Sequence, residues 1–313
     1  MANSPEDMDK RRKRREEQLR RRRKQQRRLR LGMAAALVVL GICCCVIYYF
    51  IQNAPQGQMV QSGAVPAATE PATEAPTEET RSRFDPITTV HIRAAGDLNI
   101  TDSVVDSGLA ANGYDYTRAF QDVASTLSSA DLTIMNLEGN VCGEPYGTAT
   151  TSAPNKILNA LSAAGVDILQ MANSCTINNG LIGLNSTLQA IRAAGIEPVG
   201  AYSSTAEFKR SKGYTICDVG GIRIAVVAFT KGVGGRGLPE GSEGCVNLLY
   251  TDYESTYRRV DTAGITKILD NAKAEKPDFI IALVHWGSEN NDTISKTQES
   301  IITLLKKNGV GLI

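Results

Sequence analysis

From residue 86 to the end of the chain, apolar runs of strand length alternate with amphipathic runs of helical period, and the apolar runs end in polar residues. Ile87–Ala95 reads as a strand ending in Gly96-Asp97, Tyr116–Ser129 as a helix, and Asp131–Asn136 as a strand running into Leu137-Glu138. A helix over Asn155–Ala164, stopped by Gly165, leads to an apolar strand, Val166–Met171, then a polar loop to Gly180 and a helix over Leu181–Ala194. Ile196–Val199 is a short strand, and Tyr214–Val219 with Ile222–Phe229 forms a hairpin across Gly220-Gly221. A long helix is expected from Ser255 to Ala274, a strand over Phe279–Val284 ending in His285-Trp286-Gly287, and a helix over Ser295–Asn308. Val310–Ile313 is expected to begin a further strand, with the domain continuing beyond it. Such alternation predicts an α/β domain: a layered sheet with helices on both faces, parallel β-α-β units and an antiparallel insertion.

The first 85 residues are of a different kind. Residues 1–30 carry 14 Lys and Arg against 5 Asp and Glu, a net of +9, whereas the whole chain sums to only +1. The remainder is therefore mildly acidic, which argues against nucleic acid as partner of the folded part. Leu31–Ile51 is an uncharged apolar run of 21 residues, about 30 Å as a helix, enough to cross a bilayer. With the basic cluster immediately before it, the positive-inside rule places residues 1–30 in the cytoplasm, against anionic membrane lipid, and everything after 51 outside. Residues 52–85, rich in Ala, Pro, Thr and Glu, cannot bury a core and read as an extended linker. The expected location is thus the cell membrane, with a single span and an extracellular domain over 86–313.

Of seven cysteines, Cys43, Cys44 and Cys45 fall in the apolar run, and Cys142, Cys175, Cys217 and Cys245 fall in the domain, where three full pairings are open.

In α/β domains, ligands collect at strand ends of this type. Asp97 offers a carboxylate for a cation, or for a turn. Asn136 and Glu138 flank Leu137, so in extended geometry they share one side while Leu137 faces the core. Asn99 and Glu289 are further polar groups near these ends. The chain has two histidines: His91 lies upstream along its strand and is read as structural, whereas His285 closes an apolar strand and is suited to metal binding or proton transfer. Gly232-x-Gly234-x-x-Gly237 follows a strand, but Leu-Pro-Glu-Gly-Ser comes next instead of a helix, so a lid or surface loop is expected, with Lys231 and Arg236 able to meet an anion.

Taken in order, Gly96-Asp97, Asn136-Leu137-Glu138, Ala172-Asn173-Ser174-Cys175 with Gly180 and Gly183, and His285-Trp286-Gly287-Ser288-Glu289 resemble the CapA-type capsule-synthesis family. These are poly-γ-glutamate capsule proteins related to calcineurin-like metallophosphoesterases, and the similarity runs from about Thr88 to Ile313. The resemblance implies a metallophosphoesterase-like fold with a divalent metal (Mn, Zn, Fe or Mg) held by Asp97, Glu138, Asn173 and His285. It further implies chemistry at His285, Glu138 and Cys175, with Asn136, Asn99 and Glu289 toward substrate, to which the loop reading adds Arg236. Its partners would be an anionic capsule polymer or the polymer's synthase complex. The chain departs from the family where Ala-Asn-Asn-His followed by Asp becomes Ala172-Asn173-Ser174-Cys175 followed by Asn178, and a downstream Gly-His-x-His segment is not included. Three roles are expected accordingly: assistance to capsule-polymer synthesis, export or attachment; metal-dependent phosphoester hydrolysis; or polymer or partner binding through a degenerate cleft.

Overall fold

The computed structural model describes residues 87–313. The basic tail, apolar span and linker lie outside the described residues, and among the described residues no helix is long and apolar enough to cross a membrane. The first half runs β1 (Ile92–Asn99), α1 (Asp102–Asp106), a small hairpin of β2 (Leu109–Ala110) and β3 (Gly113–Tyr114), α2 (Thr117–Leu127), β4 (Leu132–Glu138), α3 (Lys156–Ala163), β5 (Ile168–Gln170), α4 (Gly180–Ala193) and β6 (Glu197–Val199). Then come α5 (Thr205–Ser211), β7 (Tyr214–Val219), β8 (Ile222–Thr230), α6 (Thr262–Ala274), β9 (Phe279–His285) and α7 (Lys296–Lys307).

The α/β class is as expected, but the main strands divide between two sheets. One is parallel throughout, in the order β1-β4-β5-β6. The other has the order β7-β8-β9, antiparallel between β7 and β8 and parallel between β8 and β9. The sequence of β8 explains the division. Its residues are apolar on both faces, and a strand of that kind must be covered twice. Ile224, Val226 and Ala228 join the core built on β4 and β5, while Ala225, Val227 and Phe229 join a second core with Ile265 and Leu269 of α6 and Ile301 and Leu305 of α7. Burial of each such side chain stabilises by about 1.5–3 kcal/mol.

Where the sheets approach one another the chain requires a glycine. Gly200, at φ +88°, would place a Cβ 2.7 Å from Ala172 Cβ and 2.8 Å from Ala228 Cβ. The segment from Val246 to Leu248 then links the sheets, since Val246 bridges Ala201 beyond β6 and Leu248 bridges Thr230 at the end of β8.

Several boundaries shift for identifiable reasons. β1 continues through Gly96-Asp97 to Asn99 by way of a bulge between Ala94 and Asp97. The helix expected from Ser255 starts only at Thr262, with the Asp261 carboxylate capping Gly264 N at 2.9 Å. Upstream, the Asp252 carboxylate gathers a turn by accepting from Thr256 Oγ1 and from the backbone N–H groups of Arg258 and Arg259, and Tyr257 sits at φ +52°. A local side-chain acceptor of this kind competes with helix. By contrast α7 begins and ends as read, with a capping box between Ser295 and Gln298. Leu312 bridges Ile281, so the final residues lie beside β9 as the expected strand would. All four described cysteines are free thiols.

Candidate functional site

β1, β4 and β5 are parallel neighbours, so their C-terminal ends lie along one edge, and the end of β9 in the other sheet meets them there. Two hydrogen-bonded chains occupy the junction. In the first, Asn136 Nδ2 donates to Asp97 Oδ1 at 2.7 Å, and Asn173 Nδ2 donates to Asn136 Oδ1 at 3.0 Å and to Leu137 O at 2.8 Å. Asn173 Oδ1 accepts Cys175 N at 3.0 Å. Asn173 is fully buried, so its amide acts as a clamp that fixes the loop after β5 against the end of β4.

The second chain centres on Glu138. Ser174 Oγ donates to Glu138 Oε1 at 2.5 Å, and His285 Nε2 lies 3.4 Å from that same oxygen. The two side chains are largely shielded, 14% exposed for Glu138 and 17% for His285. Leu137 between Asn136 and Glu138 is fully buried, but Asn136 is buried too, at 5% exposure, so burial does not alternate along the end of β4 and of these three only Glu138 is partly exposed.

A third contact brings the glycine-rich loop in. Arg236 Nη1 donates to Asn178 Oδ1 at 2.7 Å, while Asn178 Nδ2 donates to Thr151 Oγ1 at 3.0 Å. The loop leads into no helix, so it offers no helix N-terminus to a phosphate. Lys231 is occupied differently from expectation: its Nζ donates to Gly287 O and its backbone N donates to His285 O at 2.9 Å. It pins the His285 loop, while Arg236 is exposed and reaches the loop after β5 through Asn178.

The remaining expected residues take different places. Asn99 is the strand partner of Glu138 and is exposed at the end of β1. Glu289 stands exposed past Gly287 and shares no hydrogen bond with the cluster among the described residues. Burial pushes the Cys175 thiol up, with the Glu138 charge adding to the effect, so the thiolate needed for nucleophilic or metal chemistry is disfavoured. His91 lies exposed just before β1, where its backbone pairs with Asp131. Thr151 enters the site unannounced, because it comes from a loop without periodicity and sits at φ +49°.

A dinuclear or catalytic mononuclear metal site needs at least three converging imidazole, thiolate or carboxylate ligands and an open position. Among the described residues no three His, Cys, Asp or Glu side chains are so grouped. Glu138 and His285 face one another, Asp97 Oδ1 receives the Asn136 amide, and each polar atom of the Asn173 side chain is engaged. The described donor set does not fit a divalent metal.

The model of the family described as bacterial capsule synthesis protein PGA_cap matches residues 91–313, nearly all of the described chain. The chain belongs to this family. A related protein is the capsule biosynthesis protein CapA of Bacillus anthracis, 25% identical over 210 residues that cover 64% of this chain and 48% of that one. The chain thus spans about half the length of that relative. Among solved structures, the calcineurin-like phosphoesterase YfkN from Bacillus subtilis aligns at a TM-score of 0.42 with 19% identity, covering 71% of this chain and 70% of its own. A 5'-nucleotidase assignment from Staphylococcus aureus aligns at 0.43 with 13% identity, over 69% and 42% of the two chains. Neither likeness is high enough to carry an argument about activity.

Proposed function

We propose that this chain is a membrane-anchored, extracytoplasmic protein that assists synthesis, export or attachment of an anionic capsule polymer of the poly-γ-glutamate type. The observation that carries this reading is the capsule-synthesis family match over residues 91–313. The apolar run at 31–51 with its preceding basic cluster supports an anchor with the domain outside, next to anionic lipid and a polymer-synthase complex. In this reading the strand-end cluster holds the polymer. Arg236 supplies a bidentate-capable cation for a carboxylate, and the Glu138–His285 pair supplies a proton donor and acceptor beside it.

The test is genetic and chemical together. Deletion of the gene in its native bacterium is expected to reduce cell-surface anionic polymer, with restoration by the full-length chain. Unchanged surface polymer in the deletion strain would overturn the reading.

A further inference from the structure

The loop after β5 presents one hydroxyl to a carboxylate. Asn173 and Thr176 are both fully buried and tie the loop down: Asn173 N donates to Thr176 Oγ1 at 3.0 Å, and Thr176 Oγ1 donates to Met171 O at 2.6 Å. Between them Ser174 stays partly exposed. Its Oγ donates to Glu138 Oε1 at 2.5 Å, the short end of the range for a hydroxyl on a charged carboxylate. A serine hydroxyl is a weak nucleophile until an adjacent base takes its proton, and a third group must orient that base. Glu138 meets both conditions: it is largely shielded, and His285 Nε2 lies 3.4 Å from the oxygen that receives Ser174.

The surroundings favour the hydroxyl over the thiol beside it. Cys175 Sγ is 3.7 Å from Ser174 Oγ, but burial pushes this thiol up and keeps it protonated. Donors for a developing oxyanion are also at hand. Among the described residues the Ser174 N–H has no acceptor. The glycine-rich loop crosses at the same place, since a Cβ on Gly234 would come 2.9 Å from Ser174 O and 3.2 Å from Arg236 Nη1. Arg236 Nη1 donates to Asn178 Oδ1, and the other N–H groups of that guanidinium have no partner among the described residues.

We propose that Ser174 is a nucleophile for acyl transfer, with Glu138 as its general base, and that the cluster hydrolyses carboxylic esters. Ser174 Oγ bonds to the ester carbonyl carbon as its proton passes to Glu138. The carbonyl π pair moves onto oxygen, where the Ser174 N–H and Arg236 receive the charge. When that pair returns, the bond to the alcohol oxygen breaks and Glu138 gives its proton to the departing alkoxide. Water then attacks the acyl-serine and loses a proton to Glu138; the carboxylic acid leaves and Ser174 Oγ regains the proton. An ester suits a carboxylate base, because an alkoxide departs with far less protonation than an amine requires. The assignment rests on the geometry of the cluster and is independent of the capsule reading.

The experiment uses the full-length chain in detergent, with 4-nitrophenyl acetate as substrate and a fluorophosphonate as covalent probe for an activated serine. The wild type is expected to hydrolyse the ester at least about a hundredfold faster than Ser174→Ala or Glu138→Gln, the lower end of what loss of a general base costs. Peptide mapping of the probe-treated wild type is expected to place the phosphonyl group on Ser174. That measurement needs no variant, so misfolding of a substituted chain cannot imitate it. Equal hydrolysis by Ser174→Ala, a label on Cys175 or elsewhere, or an unlabelled wild type would overturn the assignment. None of these outcomes touches the capsule reading, which the surface polymer of the deletion strain decides.

Discussion

The Glu138 carboxylate at the end of β4 lies 3.4 Å from His285 Nε2 at the end of β9, and these strands belong to different sheets. The pair therefore joins the two sheets at the edge where the family's motifs gather, and Ser174 Oγ completes the junction from the loop after β5. A contact so placed reports on how the two layers are held as well as on what they bind.

A double-mutant cycle with Glu138→Gln and His285→Gln is expected to give a coupling of about 0.5–1 kcal/mol at a pH where the imidazole is protonated. Urea unfolding of the four proteins measures it. Strict additivity would mean that the two side chains stand near one another without interacting.

Asn173 should matter more to stability than its neighbours. Asn173→Ala leaves Asn136 Oδ1, Leu137 O and Cys175 N without their partner in a fully buried place, at a cost of about 2–4 kcal/mol. Ser174→Ala, at a partly exposed position, is expected to cost below about 1 kcal/mol. A reversed order in denaturant midpoints would contradict the clamp role.

The close approach of the sheets predicts a steric penalty at Gly200. Gly200→Ala adds a methyl group with no space between Ala172 and Ala228 and at a positive φ, and is expected to lower unfolding free energy by about 2–4 kcal/mol. Gly235→Ala, also at positive φ but with open space around it, serves as the comparison and is expected to cost about 1 kcal/mol.

The Asp252 turn should respond to acid. The hydrogen bond from Thr256 leads the effects that hold this carboxyl down at about 2, against an ordinary value of 3.8. A depressed native value means that the stabilisation is fully present above the unfolded value and disappears as pH falls from about 4 through about 2. Hydrogen exchange at the Arg258 and Arg259 amides, corrected for intrinsic rates, is expected to show protection at pH 5 that is lost near pH 2 in the wild type. Asp252→Asn is expected to remove that pH dependence.

Much of the fold is legible in periodicity. Helix α7, read as Ser295–Asn308, is found as Lys296–Lys307 with those two residues as its caps, because Ser295 and Gln298 form a local cap that depends on nothing distant. The division into two sheets was not legible, because an apolar run such as β8 shows that both faces are covered and says nothing about what covers them. Helix α5 is too short for a period, although Ser204 with Glu207 three residues on is a capping signature, and Ser204 Oγ does accept Glu207 N at 3.1 Å.

In the site, the shared side of Asn136 and Glu138 follows from strand alternation alone. The engagement of Asn173 and Lys231 by backbone groups does not, since it depends on where Leu137 O and Gly287 O end up in space. Residue types at strand ends indicated a polar cluster; only coordinates show which of its groups are already occupied.

The most direct test of the central claim, that the strand-end cluster is the working face of a capsule-synthesis protein, is complementation of the deletion strain with full-length Glu138→Gln/His285→Gln. Surface anionic polymer is the measurement, alongside the amount of variant protein in the membrane fraction. The account predicts normal protein in the membrane with polymer at about a tenth of the wild-type level or less, a loss of the size seen when the central residues of a binding site are removed. Full restoration of polymer by the variant would contradict it.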